Sequence, residues 1–436
     1  MSLNYVPDMP MLQIFEAHRS WGEHFSQKIG KAWEDWPSLS REPCRKLRIA
    51  YLSPDFFKHS TSYFARCLVE HYDHEMFDVF LYSNTLQEDE TTEMFRSAIP
   101  EERWRNVNGM KSQEAGELIR KDQIDILVDL AGHTANNRLD IMARKPSPVQ
   151  FTWMGYQNTT GLGAIDYLIT DETVDVVGTS QPFVEELARL PRCLGCYTPP
   201  TDIPDVGPLP AASKDGRVTF GSFNQIVKLS PSCVALWAQI MKAVPDSGLL
   251  LKAKGFSSND VQARITAVFE QHGISAERLI LQPTSKDHLQ IYTTTVDIAL
   301  DTFPYSSPTT ACEAMLMGVP VVCLEGSTHC ARRAMTLVST VGFADEFIAS
   351  TQEEYIRKAQ SLATDLDRLT TIRQQLRPAL LASPLCDGRD FVRGRLEPLL
   401  REKWRLFCEG RAPSTQQAAA LPGEAMPGGS ASSGAD

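Results

Sequence analysis

Long apolar runs, an excess of basic residues and paired cysteine motifs are all missing from this sequence of 436 residues. No stretch of about 18 uncharged apolar residues occurs, and no basic flank followed by an apolar block opens the chain, so we expect neither a membrane span nor a secretory leader. The chain carries 43 Lys and Arg against 54 Asp and Glu. Because this balance is acidic, we expect no surface that binds nucleic-acid phosphates and no nucleic-acid partner.

Metal and cofactor motifs are missing as well. Among the ten cysteines, Cys193 and Cys196 form a close pair, but no second pair follows at the spacing of a zinc site. We interpret this pair as structural, with a redox role as the alternative, and expect reduced thiols in the cytoplasm or nucleus. The sequence has no HExxH motif, no DxD motif at a strand end, no P-loop and no GxGxxG fingerprint. We therefore expect no metal site and no resident cofactor.

What the sequence does contain is two series of apolar segments that alternate with amphipathic ones. The apolar segments predict buried strands at 47–52, 77–82, 124–130 and 149–154, and again at 218–222, 248–253, 279–281, 297–300 and 319–324. Helical patterns between them predict a parallel, doubly wound α/β sheet in each half of the chain. A polar stretch rich in Pro separates the halves, so the expected ligand site is the cleft between the carboxyl ends of their strands.

The predicted organisation has five segments. We expect an N-terminal helical lead-in, a first lobe, a linker, a second lobe ending in helices that close across both lobes, and a disordered tail rich in Ala, Gly, Ser and Pro. Their bounds are residues 1–45, 46–198, 199–216, 217–411 and 412–436.

The segment from Asp301 to Pro320 has the strongest local pattern for ligand binding. A strand ends at Asp301, a turn rich in Pro and Ser follows, and Thr309 and Thr310 open a helix that carries Glu313. Free N–H groups at a helix start, with two hydroxyls beside them, favour a diphosphate, and Glu313 one turn later suits ribose hydroxyls. Ordinary helix capping with a dipole-compensating Glu explains the same pattern equally well.

Other polar loops follow predicted strands. Lys228 follows the first strand of the second half, where a cation would reach a phosphate, and Asp55 and His59 follow the first strand of the chain, where they suit a base and its orienting partner. Taken singly, a solvated lysine and a turn-forming Asp beside a loop His are the commoner interpretations. Segments 132–140 and 155–171 carry Gly, Asn and hydroxyl side chains, which suit sugar or peptide contact but also ordinary turns.

Together these segments resemble the catalytic region of the SPINDLY proteins of plants, relatives of the protein O-linked N-acetylglucosamine transferases. The similarity runs from about Leu47 to Gly410 and is carried by blocks in the same order, including LRIAYLSPDFFKHSTSYF, DILVDLAGHTANNRLD, PVQFTWMGYQNTTGL, FGSFNQIVKLSP and DIALDTFPYSSPTTACEAMLMGVP. Within this family, GHTANN, QNTTGL and the CE after the threonine pair are more similar to SPINDLY than to the N-acetylglucosamine enzymes.

The resemblance implies a GT-B glycosyltransferase with two Rossmann-like lobes and an inverting, metal-independent displacement. A nucleotide sugar would bind mainly to the second lobe, and a Ser or Thr hydroxyl of an acceptor protein would attack its anomeric carbon. The donor is GDP-fucose in SPINDLY proteins and UDP-N-acetylglucosamine in the sister group. No residue of the sequence distinguishes guanine from uracil, so the preference for GDP-fucose rests on similarity alone. The alternative of another class is a non-catalytic scaffold that binds a nucleotide sugar.

The same resemblance implies roles for individual residues. Lys228 matches the lysine that neutralises the donor diphosphate. Donor binding is implied for Gln225, Lys228, His288, Pro308, Thr309, Thr310 and Glu313, catalysis on the acceptor side for Asp55, His59 and His133, and acceptor contact for Thr159 and Thr160. Pro308 stands where the relatives have His or Thr, which removes a side-chain hydrogen bond near the phosphates.

The repeats that precede the catalytic region in these relatives have no counterpart here. Tetratricopeptide repeats of about 34 residues gather acceptor proteins in the relatives, whereas in this chain only FEAHRSWGEHF resembles the join. We therefore expect either a fragment of a longer protein or acceptor recognition by a separate subunit, with homo-oligomer formation left open.

Overall fold

The computed structural model describes residues 2–6, 9–411 and 413, and it folds them into two α/β lobes. The first lobe is built on a seven-stranded sheet and the second on a six-stranded sheet. All of the strand pairs are parallel. Most strand residues are buried because helices cover both faces of each sheet. The predicted pair of doubly wound sheets is confirmed.

The first lobe has the strand order β3-β2-β1-β4-β5-β6-β7. Its strands are β1 (Leu47–Ser53), β2 (Phe77–Ser83), β3 (Trp104–Asn106), β4 (Ile126–Asp129), β5 (Val149–Thr152), β6 (Tyr167–Asp171) and β7 (Glu186–Leu190). Its helices are α1 (Met11–Ile29), α2 (Ser62–Glu70), α3 (Glu90–Ser97), α4 (Ser112–Lys121) and α5 (Leu139–Met142). The sequence prediction found β1, β2, β4 and β5 but missed the other three strands. Of the missed strands, β3 has only three residues, and charged residues interrupt the apolar pattern of β7.

The second lobe has the strand order β10-β9-β8-β11-β12-β13. Its strands are β8 (Thr219–Ser222), β9 (Gly248–Lys252), β10 (Leu279–Gln282), β11 (Ile298–Leu300), β12 (Val321–Leu324) and β13 (Ile348–Ala349). Its helices are α6 (Pro231–Ala243), α7 (Asn259–Gln271), α8 (His288–Thr295), α9 (Pro308–Leu316), α10 (His329–Val341), α11 (Ala344–Phe347), α12 (Gln352–Thr364) and α13 (Leu366–Ala382). Except for the two-residue edge strand β13, every strand here was predicted.

The last helices return to the first lobe. A π-helical segment, Asp390–Leu396, leads into α14 (Glu397–Cys408), and Phe391, Leu400 and Trp404 lie in the first lobe's core. The closing helices therefore pack across both lobes, as expected. An amphipathic pattern shows that a helix covers a core but does not show which core. Of the predicted tail, 412–436, only residue 413 is described, so that prediction lies outside the described residues.

The chain crosses between the lobes twice, through the predicted linker and again between α13 and the π-helical segment. The two crossings run side by side, since the N–H of Tyr197 donates to the carbonyl of Leu385 at 2.7 Å. The end of the linker is not a solvated loop. Leu209 and Ala211 are buried in the second lobe, and the N–H of Ala211 donates to the Asp297 carboxylate at 2.8 Å.

The N-terminal lead-in contains one long helix, α1, which packs directly on a loop of the first lobe. Gly22 lies where a Cβ atom would overlap the carbonyl oxygen of Gly161. His18, one turn earlier, approaches the hydroxyl of Tyr156 with Nε2 at 2.5 Å. Among the residues that the structure describes, no helix combines the length and apolar character needed to cross a lipid bilayer.

The close contact between α1 and this loop predicts the effect of Gly22→Ala. Alanine favours an exposed helix by about 1 kcal/mol over glycine, but here its methyl group meets backbone that cannot move aside. We expect a net loss of roughly 1–3 kcal/mol in the free energy of unfolding, measured by urea denaturation. Gly163→Ala is the matched control, because a Cβ atom there meets nothing within 4 Å. A Gly22→Ala protein as stable as the wild type would contradict this packing.

Candidate functional site

A cleft of about 650 Å³ lies between the lobes, at the carboxyl ends of both sheets. Loops after β1 and β8 and the starts of α8 and α9 line it. Most of the predicted site residues come together here, namely Asp55, His59, Gln225, Lys228, His288, Pro308, Thr309, Thr310 and Glu313. They come from four separate parts of the chain, which only the fold brings together.

The start of α9 presents free backbone N–H groups to the cleft. Ser307 is the N-cap, and Pro308 occupies the first turn, where its missing N–H costs no hydrogen bond. The hydroxyl of Thr310 donates to the carbonyl of Ser307 at 3.1 Å, which fixes its rotamer. The N–H groups of Thr309 and Thr310 lack partners within the helix, as at any helix start, so they can bind an anion.

Lys228 lies beside this helix start. Its ammonium donates to the carbonyl of Ser306 at 3.1 Å and to Oγ of Ser307 at 3.0 Å, and it lies 4.8 Å from the ring centroid of Tyr305. Burial lowers the pKa of Lys228, and the negative charge of Asp301 opposes that shift. Burial likewise raises the pKa of Asp301, opposed by Lys228. The pair places a cation at the cleft wall with its counter-charge beneath it.

A second lysine, which the sequence prediction missed, lies near Glu313 in the middle of α9. Lys252 ends β9, is 2% exposed, and places Nζ 3.4 Å from Nδ1 of His288. His288 in turn places Nε2 2.8 Å from Oε2 of Glu313. Because an ammonium can only donate, Nδ1 accepts and the proton of His288 lies on Nε2, which donates to Glu313. This series of hydrogen bonds orients both His288 and Glu313 toward the cleft.

The signal for Lys252 was present in the sequence, since a lysine at the end of an otherwise apolar strand is unusual. Tyr5 gave no such signal because it lies in the N-terminal lead-in, before every predicted strand. Its ring stacks on Tyr305 with centroids 4.6 Å apart and lines the cleft.

The first lobe contributes a carboxylate and an imidazole. Oδ2 of Asp55 lies 3.6 Å from Nδ1 of His59, and the hydroxyl of Thr61 donates to the same carboxylate oxygen at 3.5 Å. Burial raises the pKa of Asp55, while His59 and Thr61 oppose the shift. The imidazole is more exposed than the carboxylate. Such a pair can hold a base toward a ligand in the cleft.

The structure does not bring His133, Thr159 or Thr160 into the cleft lining. His133 packs against Trp21 and Tyr156, and its Nε2 lies 2.7 Å from the carbonyl oxygen of Thr160. Burial lowers the pKa of His133 to about 4, so the ring is neutral near pH 7 and Nε2–H is the donor. These observations correct the catalytic role that the resemblance implies for His133, since its ring packs among aromatic side chains and does not line the cleft.

Thr159 and Thr160 are fully buried, which corrects their proposed contact with an acceptor. Their hydroxyls donate to the carboxylate of Glu185, that of Thr159 at 2.6 Å, and the N–H of Thr160 also donates to it at 2.8 Å. Glu185 has no exposed surface and needs these donors. Thr159 and Thr160 therefore stabilise their own loop and do not contact a ligand.

In the described part of the chain, no group of three or more His, Cys, Asp or Glu side chains is placed to hold a metal ion. Metal independence therefore stays a prediction.

Comparisons with known proteins agree with this architecture. The model of the family described as glycosyl transferase family 41 matches residues 24–196 and 211–394. A protein of Solanum lycopersicum named "Probable UDP-N-acetylglucosamine--peptide N-acetylglucosaminyltransferase SPINDLY" is 42% identical over 422 residues, covering 96% of this chain and 45% of its own length. A protein of Arabidopsis thaliana with the same enzyme name and the designation SEC is 31% identical over 379 residues, covering 85% of this chain and 38% of its own.

The solved structure of an O-GlcNAc transferase mutant of Thermobaculum terrenum superimposes with a TM-score of 0.85 at 35% identity, covering 94% of this chain and 76% of that one. The fold is therefore the GT-B arrangement. The chain spans less than half the length of the curated relatives it matches. With the family model covering both lobes and the cleft between them, the chain belongs to glycosyl transferase family 41.

Proposed function

We propose that the cleft binds a nucleotide sugar and transfers the sugar to a Ser or Thr hydroxyl of an acceptor protein, with inversion and without a metal ion. The main observation behind this proposal is that the Lys228 ammonium lies beside the free start of α9. As the bond from the anomeric carbon to the phosphate oxygen breaks, negative charge grows on the diphosphate, and these donors are already in place to stabilise it. The acceptor hydroxyl gives its proton to a base of the first lobe, for which the pair of Asp55 and His59 is suitably placed.

The proposed donor is GDP-fucose, and the alternative is UDP-N-acetylglucosamine. The blocks GHTANN and QNTTGL and the CE after the threonine pair support the SPINDLY type. The names of the SPINDLY and SEC relatives refer to UDP-N-acetylglucosamine, which supports the alternative. The proposed acceptors are proteins of the cytoplasm and nucleus, and the ten free cysteines support this location. A separate acceptor-recognition subunit or a second copy of the chain would complete acceptor binding.

The donor preference is tested by calorimetric titration of GDP, UDP, GDP-fucose and UDP-N-acetylglucosamine into the purified chain in buffer containing EDTA. We expect micromolar binding of the guanine nucleotides, about −8 kcal/mol, and weaker binding of the uracil pair. Binding of the uracil pair alone would establish the alternative donor. Binding of none by the folded chain would contradict the proposed function.

Replacement of Lys228 by Met tests the chemistry of the cleft. We expect the rate of sugar transfer to a peptide to fall by about 10²- to 10³-fold, because the leaving diphosphate loses its cation, while the melting temperature stays close to that of the wild type. Lys242→Met, on the exposed face of α6, is the matched control for loss of one positive charge. A wild-type chain that binds the donor without turnover would instead establish the non-catalytic scaffold.

Replacement of Lys252 by Met tests the series of hydrogen bonds that orients His288 and Glu313. We expect GDP to bind about three- to tenfold more weakly, since one hydrogen bond that fixes the imidazole is lost, and kcat at saturating donor to change little, because Lys252 does not line the cleft. Lys254→Met, two residues away and exposed, is the control. If the GDP affinity of Lys252→Met matched that of the control, the hydrogen bonds from Lys252 through His288 to Glu313 would have no role in donor binding.

A further inference from the structure

Three buried side chains form a relay that starts in the first lobe and ends at the cleft. Asp175 follows β6, whereas His329 and Arg333 lie one turn apart on α10 of the second lobe. Nδ1 of His329 lies 2.7 Å from Oδ2 of Asp175, and Nη1 of Arg333 lies 3.4 Å from Nε2 of His329. Because a guanidinium can only donate, Nε2 accepts from Arg333 and Nδ1–H donates to Asp175. The imidazole thereby holds the guanidinium in one orientation.

Arg333 has donors that this relay leaves unused. The residue is 9% exposed and lines the cleft. Within residues 2–6, 9–411 and 413, its guanidinium has no hydrogen bond besides the one to His329 and no carboxylate at ion-pair distance. The guanidinium nitrogens without a partner keep some exposed surface, and the side chain lines the cleft, so its remaining N–H groups are available to a ligand there. A largely buried guanidinium in this position is costly until a ligand accepts from it.

Helix α10, which carries Arg333, packs on the loop before α9 to which Lys228 is hydrogen-bonded. The N–H of Ala334, the next residue, donates to Oγ of Ser306 at 3.2 Å. The carbonyl of the same serine accepts from the Lys228 ammonium at 3.1 Å. Ser306 is thus contacted from both sides, and the two cations flank one loop at the cleft wall. Asp301 offsets the charge of Lys228. Asp171 and Asp175 attract Arg333, but among the described residues no carboxylate lies at ion-pair distance from its guanidinium.

We propose that Arg333 is a second cation for the donor diphosphate, acting beside Lys228 on the phosphate that bears the sugar. This inference rests on the proposed function, in which the cleft binds a nucleotide sugar. A guanidinium offers paired N–H groups that match two phosphate oxygens, as an ammonium cannot. When the bond from the anomeric carbon breaks, its electron pair stays on the phosphate oxygen, and Arg333 stabilises the charge left there. Asp175 and His329 are positioning residues that act through Arg333.

The test compares how variants bind guanosine, GMP and GDP by calorimetry. For Arg333→Met we expect GDP affinity to fall about 10- to 100-fold, the range for loss of a hydrogen bond to a charged group, and guanosine affinity to stay at the wild-type value. Arg333→Lys should recover part of the loss, because the charge returns without the paired geometry. Arg332→Met is the matched control on the same helix. Its guanidinium bonds to the carbonyl of Thr173 and to Glu325.

The positioning role has its own readout. His329→Phe removes the acceptor that orients Arg333, so it should weaken GDP but not guanosine. In a double-mutant cycle with Arg333→Met the two losses should not add.

Three results would overturn the inference: unchanged GDP affinity in Arg333→Met, an equal loss for guanosine and GDP, or an equal loss in Arg332→Met. These results differ from failure of the proposed function, in which the wild-type chain itself binds neither GDP nor UDP. If the wild type binds UDP instead, the series is run with uridine, UMP and UDP, and the same expectations hold.

Discussion

Positive charge gathered at one edge of the second sheet is the constraint on which the site depends. The start of α9 carries the positive end of the helix dipole, and Lys228 adds a full charge within hydrogen-bonding distance of its N-cap, Ser307. Within the described residues, that ammonium donates its hydrogen bonds to neutral oxygens, while the negative charge of Asp301 attracts it. Without a ligand, these like charges raise the free energy of the site. A diphosphate relieves that repulsion, so the strongest electrostatic interactions of the cleft are those made with the ligand.

The two lobes divide the chemistry between them. The second lobe supplies Lys228, the start of α9 and the hydrogen-bonded series from Lys252 to Glu313, all held by hydrogen bonds within that lobe. It also supplies Arg333, which is oriented through His329 by Asp175 of the first lobe. The first lobe supplies the carboxylate and imidazole of Asp55 and His59 on a loop set by β1. A ligand bound to one lobe therefore meets the groups that complete the reaction only where the other lobe faces it.

Much of the architecture could be predicted because buried parallel strands leave a strong apolar pattern. Strands such as β1 and β9 are nearly continuous apolar runs, whereas β3 at the sheet edge is short and polar. Strand order depends on contacts between distant segments, which periodicity does not record. The sequence indicated that the last helices close across both lobes, but the residues of α14 that enter the first lobe's core are known only from the folded chain.

For the site, the sequence located the loops but not the direction of each side chain. Lys228 and Thr310 lie at strand and helix ends that face the cleft, as their positions predicted. Thr160 lies on an equally promising loop but turns inward to a buried carboxylate, Glu185, that is distant in sequence. Arg333 attracted no notice because an arginine inside an amphipathic helix is ordinary until its partners are known.

The paired crossings between the lobes also govern how the molecule can move and be cut. If a single segment connected the lobes, one lobe could rotate about it. Two segments joined by the hydrogen bond from Tyr197 to Leu385 resist twisting and leave bending as the easier motion. Because the chain returns to the first lobe, cutting the backbone anywhere in 199–216 would not release either lobe. After such a cut the second lobe would stay covalently joined to α14 through the second crossing. Because α14 packs in the first lobe's core, the two fragments would stay associated as a nicked molecule.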